Sequence, residues 1–247
     1  MKIVALIPAR LGATRFPGKM LAQIKGKSVI RRTYEAAVAT ELFDEVLVVT
    51  DSDQIQEEIQ SFGGVAVRSM GEYESGTDRI AEIAANMDAD VFVNVQGDEP
   101  FVQRGPLSQL LEVFIGEEGK QVQVASLVQE LLNDSFIQDP NYVKVALDLN
   151  GNALFFSRSV IPYPRNKEVN ITYYEHIGVY AFRKKALMQF TNWSMTPLEE
   201  AEKVECLRFL EHGVPMRMVT TTYMGIEIDT PEDLERAEIF METHDLK

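Results

Sequence analysis

Short β-rich runs alternate with helically spaced segments along most of this chain. That alternation restricts the folds open to it more than any other feature. The runs are residues 3–7, 45–50, 65–67, 91–95 and 122–128. Between them, residues 29–38, 54–62, 78–87 and 107–115 set apolar side chains three and four apart. Apolar strands separated by amphipathic helices predict an α/β protein, doubly wound around a mostly parallel sheet. The pattern changes over 141–182. There, runs 143–149 and 153–157 flank Asn150-Gly151, a hairpin signal, and 175–182 is a further strand after a polar loop at 163–170. This antiparallel excursion is expected to cap a site or form a dimer contact. Beyond it, 198–210 reads as one helix, while 214–220 and 225–228 read as strands. Thr230-Pro231-Glu232-Asp233 supplies an N-cap, a first-turn proline and first-turn acids for a last helix reaching about residue 244. No linker-like segment interrupts the chain, so 1–247 reads as a single domain carrying the excursion.

Charge is placed unevenly on this frame. The chain has 24 basic and 38 acidic side chains, a net charge of -14, yet its first acidic residue is Glu35. Lys2, Arg10, Arg15, Lys19, Lys25, Lys27, Arg31 and Arg32 all precede it. The centre of this stretch, Pro8-Ala9-Arg10-Leu11-Gly12-Ala13-Thr14-Arg15-Phe16-Pro17-Gly18-Lys19, follows the first apolar run directly. A cationic loop at the carboxyl end of a buried strand is where an open α/β sheet receives an anionic ligand. The loop is not a P-loop, because five residues separate Gly12 from Gly18-Lys19 and Met20 stands where Ser or Thr is required. A solvated basic loop is the plainer alternative. The acidic total argues against nucleic acid as a partner. The single cysteine, Cys206, rules out an intramolecular disulfide and a thiolate zinc cluster and fits a reducing cytosol. The first apolar run is too short for a signal peptide, and no run approaches the roughly 18 apolar residues of a membrane helix, so no membrane insertion is expected.

Asp98 follows the 91–95 run, where it could bind magnesium beside substrate phosphates or simply form a turn. Asp229 stands after the 225–228 run, and the two together could bridge a metal. Ser75-Gly76-Thr77-Asp78-Arg79 opens a helix whose N–H groups could hold phosphate, or it is an ordinary cap. The three histidines, His176, His212 and His244, lack metal-ligand spacing. Alternation puts His176, Gly178 and Tyr180 on one strand face, suited to a polyol or to packing. Glu205 reads by default as a solvated helix residue. Cys206 reads as packing, not as a nucleophile.

Six motifs carry a resemblance that covers nearly the whole chain. They are Ile-Pro-Ala-Arg-Leu-Gly-Ala-Thr-Arg-Phe-Pro-Gly-Lys (7–19), Ser-Gly-Thr-Asp-Arg (75–79), Val-Asn-Val-Gln-Gly-Asp-Glu-Pro (93–100), Phe-Ser-Arg (156–158), His-Ile-Gly-Val-Tyr (176–180) and Ile-Asp-Thr-Pro-Glu-Asp-Leu (228–234). In this order they resemble the 3-deoxy-manno-octulosonate (Kdo) cytidylyltransferase family, the CMP-Kdo synthetases. The resemblance implies a nucleotide-diphospho-sugar transferase fold and a Mg²⁺-dependent reaction in which CTP and Kdo give CMP-Kdo and pyrophosphate. It also implies a cytoplasmic homodimer acting in lipopolysaccharide precursor synthesis. By motif, Arg10 and Lys19 would hold the triphosphate, with Arg15 near the reacting groups, and Ser75 and Arg79 would hold the nucleotide. Asp98 and Asp229 would bind magnesium, while Gln96, His176, Tyr180 and Glu205, helped by Arg158, would position the sugar acid. Three positions depart from the family pattern. Ala13 stands where Ser is common, Tyr73 replaces a frequent His, and Cys206 replaces a Gln beside Glu205. The last departure keeps an 8-amino variant of Kdo open as acceptor. Competing readings are a cytidylyltransferase for another sugar acid, such as a sialate, and a non-catalytic nucleotide-binding protein.

Overall fold

The computed structural model describes residues 1–12, 16–73, 75–222 and 225–244. It forms two compact units, residues 1–107 with 224–247, and residues 108–223. In the first, strands β1 (Ile3–Ala9), β2 (Glu45–Thr50), β3 (Ala66–Arg68) and β4 (Val91–Val95) alternate with helices α1 (Val29–Ala39), α2 (Asp53–Ser61) and α3 (Gly76–Ala85). All pair in parallel, in the order β4-β1-β2-β3. Val4 to Ile7 and Val91 to Val93 are fully buried, as central strands covered on both faces must be. Each such large side chain contributes about 1.5–3 kcal/mol relative to exposure. Ser28, Ser52 and Ser75 cap α1, α2 and α3 through their hydroxyls.

Helix α4 (Arg104–Glu112) leads into the second unit, which holds strands β5 (Val124–Glu130), β6 (Lys144–Leu147), β7 (Ala153–Ser157), β8 (Tyr174–Arg183) and β9 (Met216–Thr220). Here β8 pairs antiparallel with β5 and β6, β6 pairs antiparallel with β7, and β9 runs parallel to β5. The excursion read over 141–182 corresponds to β6, β7 and β8. Gly151, at φ 77°, turns the hairpin, and the Asp148 carboxylate accepts from the N–H groups of Asn150 and Asn152. The strand set is therefore mixed and the protein α/β, as expected. No described helix is long and apolar enough to cross a membrane.

Two expectations are corrected. The 198–210 segment is two helices, α6 (Pro197–Glu202) and α7 (Cys206–Glu211), which follow α5 (Lys184–Asn192). Lys203 adopts φ 53° and ends the first of them in a left-handed turn. Their junction is held by a buried ion pair, with Arg208 Nη2 2.6 Å and Nε 2.8 Å from the Glu199 carboxylate. Glu199→Gln should therefore cost about 3 kcal/mol, because removing one partner strands a buried charge. Urea unfolding at neutral pH measures this. The second correction is that residues 225–228 form no strand. Among the described residues the segment's one backbone bond to the β4 side runs from Ile228 N–H to the Asp98 carbonyl at 3.0 Å. Its apolar alternation comes from Ile226 and Ile228 packing into a small core with Val29, Phe101, Ala237 and Met241.

Candidate active site

In the first unit a cleft of about 280 Å³ opens at the carboxyl ends of β1 and β4, lined by Arg10, Lys19, Ser75, Arg79, Gln96, Asp98 and Asp229 among others. Burial of β1 delivers Arg10 to the rim, where it is exposed. The chain then folds back. Gly18 N–H bonds the Leu11 carbonyl at 3.1 Å, and Gly18 sits at φ 75°, a conformation that disfavours a side chain. This turn starts a short 3-10 helix, Lys19–Leu21, and brings Lys19 into the cleft. Gly97 allows the two strand-end loops to approach. A Cβ there would lie 2.8 Å from the Pro8 carbonyl oxygen and 3.0 Å from Met20 Sδ. Arg15, expected near the reacting groups, and Ala13 lie outside the described residues.

Lys19 sits between two carboxylates, its Nζ 2.5 Å from Asp98 Oδ2 and 3.0 Å from Asp229 Oδ1. Burial pushes its ammonium down, but the charges of Asp98 and Asp229 outweigh this and raise it above its ordinary value. Lys19 is therefore cationic at any working pH. Glu227, two residues before Asp229, completes a group of three: one carboxylate oxygen each from Asp98, Glu227 and Asp229 lie within 4.8 Å of one another. Desolvation and the like charges of Asp98, Glu99 and Asp229 raise the Glu227 carboxyl well above the usual range. Glu227 exposes much of its surface, so like-charge crowding carries more of that shift than burial does. Hard carboxylate oxygens gathered around one lysine suit a magnesium ion that keeps waters and takes substrate oxygens as its other ligands. Sequence reading missed Glu227. Its signal was i, i+2 spacing from Asp229 in an extended segment.

Asp229 owes its place to the helix that follows, Pro231–Thr243. Asp233 accepts from the N–H groups of Asp229 at 3.1 Å and Thr230 at 2.9 Å, closing a capping box. Burial raises the Asp233 carboxyl, but these backbone donors outweigh it and hold it below the ordinary aspartate value of 3.8. A depressed acid stabilises the fold above that value and loses its contribution as pH falls through the lower folded one. Asp233→Asn should cost about 1 kcal/mol at pH 7, in line with loss of a cap. The difference from the parent should shrink below pH ~4. Chemical denaturation at the two pH values checks this.

The nucleotide candidates are partly engaged with protein. Ser75 Oγ caps α3 through the Asp78 N–H at 3.1 Å, so the ordinary-cap reading holds alongside its position on the cleft. Arg79 pairs with Asp51 Oδ2 at 2.9 Å and Ser69 Oγ at 2.6 Å, and it lies 5.6 Å over the Tyr73 ring. The Gln96 amide donates to Asn94 Oδ1 at 3.1 Å, and Asn94 in turn donates to Thr77 Oγ1 at 3.1 Å. Of the other N-terminal cations, Lys27 and Arg31 pair with Glu35, Arg32 bonds the Ile24 carbonyl and Lys25 pairs with Glu242. Those four support α1 and the segment before it; they do not line the cleft.

The remaining sugar-acid candidates lie in the second unit. His176 is packed between Phe156 and Tyr180, with ring centroids 5.1 and 5.3 Å away. Burial pushes its imidazole down to about 3, so it is neutral. Cys206 Sγ lies 3.7 Å from His176 Nε2. Burial and the adjacent Glu205 charge raise the Cys206 thiol well above its ordinary value, which fits a packing role. Glu205 is half-buried at the start of α7. Arg158 Nε donates to the Glu202 carbonyl at 2.7 Å and Nη1 to the Pro140 carbonyl at 2.9 Å.

Comparison with known proteins bears on this arrangement. Residues 4–218 match the family model described as cytidylyltransferase. A 3-deoxy-manno-octulosonate cytidylyltransferase of Flavobacterium johnsoniae is 57% identical over 237 residues, 96% of this chain and 97% of its own. One from Christiangramia forsetii is 54% identical over 236 residues, 96% of this chain and 95% of its own. A solved structure of a CMP:2-keto-3-deoxy-manno-octonic acid synthetase complexed with CTP superposes with a TM-score of 0.92 at 36% identity, covering 99% of this chain and 100% of that one.

Proposed function

The chain belongs to the cytidylyltransferase family, and we propose that it transfers CMP from CTP to the anomeric hydroxyl of Kdo, releasing pyrophosphate. The observation that carries this reading is Lys19 held between Asp98 and Asp229 on a cleft that also holds Arg10, Arg79 and the N-terminus of α3, with the Glu227 carboxylate beside those of the two aspartates. The triphosphate needs cations and N–H donors, which Arg10, Lys19, Ser75 and the first turn of α3 offer. Asp98 and Asp229, with Glu227 beside them, would hold Mg²⁺. When bound, the ion supplies positive charge at the α-phosphate and makes the anomeric hydroxyl more acidic. The chain's own task is then positioning and charge balance. Arg10 and Lys19 neutralise the departing pyrophosphate, Lys19 exchanging its carboxylate partners for phosphate oxygens. Gln96, His176, Tyr180 and Glu205 are assigned to the sugar acid. Arg158, which donates to the Glu202 and Pro140 carbonyls, remains the helper of that group. A homodimer in the cytoplasm, feeding lipopolysaccharide synthesis, completes the reading.

Initial rates of pyrophosphate release with CTP and Mg²⁺, offering Kdo, 8-amino-Kdo and a sialic acid in parallel, test it. Kdo should be the preferred acceptor. Preference for the amino sugar would redirect attention to Cys206. Silence with every acid while CTP still binds would refute the reading.

A further inference from the structure

Strand β8 is irregular where it passes Ser126. Its pairing with β5 runs His176↔Val128 and Ile177↔Leu127, then resumes at Tyr180↔Ser126, leaving Gly178 and Val179 as a bulge. The fully buried Ser126 hydroxyl lies in that bulge, 2.7 Å from the Val179 carbonyl, 3.1 Å from the Ile177 carbonyl and 3.1 Å from His176 Nε2. A hydroxyl has one proton and two lone pairs. If the proton went to His176, two carbonyl oxygens would face an oxygen lone pair at hydrogen-bonding distance, which is repulsive. The proton therefore goes to the carbonyls, and the oxygen accepts from Nε2–H. We propose that Ser126 is a positioning residue that holds His176 as the Nε2–H tautomer, leaving Nδ1 as the ring's only acceptor. In the reading above, on which the functional half of this inference rests, that nitrogen accepts a hydroxyl proton from the sugar acid. The bulge, Ser126 and the neutral ring thus form one device that turns a histidine into a fixed acceptor. The Cys206 sulfur at 3.7 Å is a weak second acceptor for the same N–H.

Long-range ¹H–¹⁵N correlation spectra of the ring-labelled protein read the tautomer directly. In the parent, His176 should show a pyrrole-type Nε2 and a pyridine-type Nδ1 near neutral pH. In Ser126→Ala the pattern should shift toward Nδ1–H or a mixture. The KM for Kdo should then rise about tenfold, the effect of one lost hydrogen bond, with the KM for CTP unchanged. Ser126→Thr, which keeps the hydroxyl, should restore the parent pattern. A parent ring that is charged or Nδ1–H overturns the proposal even if no variant folds, as does a Ser126→Ala spectrum identical to the parent. The expected spectra with no change in the KM for Kdo in either Ser126→Ala or His176→Phe would leave the tautomer assignment standing and refute the sugar-acid assignment of His176.

Discussion

Asp98→Asn should lose roughly 10²–10³-fold in kcat, the scale of removing one preorganised charge-stabilising group, while CTP still binds. The substitution keeps the shape of the side chain and removes its charge. Asp98 is 9% exposed and lies 2.5 Å from Lys19, so the change is made in a desolvated setting where charge counts most. Its main-chain carbonyl still accepts from Ile228 N–H, so the segment bearing Asp229 stays in place. Lys19 also keeps Asp229 at 3.0 Å, so its charge is not stranded, and the loss should fall on turnover more than on folding or on the nucleotide. Steady-state kinetics with calorimetric CTP binding separates the two effects. Turnover within a few-fold of the parent would remove Asp98 from the account.

Lys19→Met should be the second large effect, and it should act on stability as well as on chemistry. Methionine fills most of the same space but leaves Asp98, Glu227 and Asp229 facing one another without their common cation. Breaking a largely buried ion pair from one side costs about 3–5 kcal/mol. Glu227, already raised well above the usual range by burial and by these like charges, loses the cation that opposes that shift, so it binds a proton more readily in the folded than in the unfolded state. Folding stability of the variant should then rise as pH falls from 8 toward 5, narrowing its gap from the parent. Catalytic efficiency toward CTP should fall roughly thousandfold, because the same ammonium is assigned to the triphosphate. Lys19→Arg should keep much of the stability. Thermal melts at the two pH values, with kcat/KM for CTP, make the test. A variant as stable as the parent at pH 8 would mean that Lys19 does not balance these carboxylates.

How much of this could be read from the sequence depended on how local the cause was. The Ile3–Ala9, Glu45–Thr50 and Val91–Val95 strands were readable because a run covered on both faces is apolar at most positions, with polar residues confined to Glu45, Thr50 and Asn94. From them the carboxyl-end positions of Arg10 and Asp98 followed. The Pro231 helix was readable from its cap. The 225–228 segment misled because burying Ile226 and Ile228 against a helix leaves the same alternation as a strand. The break at Lys203 left no mark, since lysine rarely takes a left-handed turn and here tertiary contacts around Glu199 and Arg208 impose it. Glu227 was passed over because a third carboxylate is defined only once the 97–99 loop and the 225–229 segment meet. The N-terminal cation cluster was a mixed signal: Arg10 and Lys19 line the cleft, while Lys27, Arg31 and Arg32 tie down α1. Ser126 carried no sequence signal, because its role exists only where β8 bulges.

In the proposed reaction the sugar's anomeric oxygen attacks the α-phosphorus of CTP. Kdo labelled with ¹⁸O at its anomeric hydroxyl, turned over with CTP and Mg²⁺ and followed by ³¹P NMR, reports which bond forms. The label should appear in the bridge between sugar and phosphorus of CMP-Kdo, shifting that resonance, with none in pyrophosphate. CMP-Kdo formed without the label, its bridging oxygen drawn from the nucleotide, would contradict it.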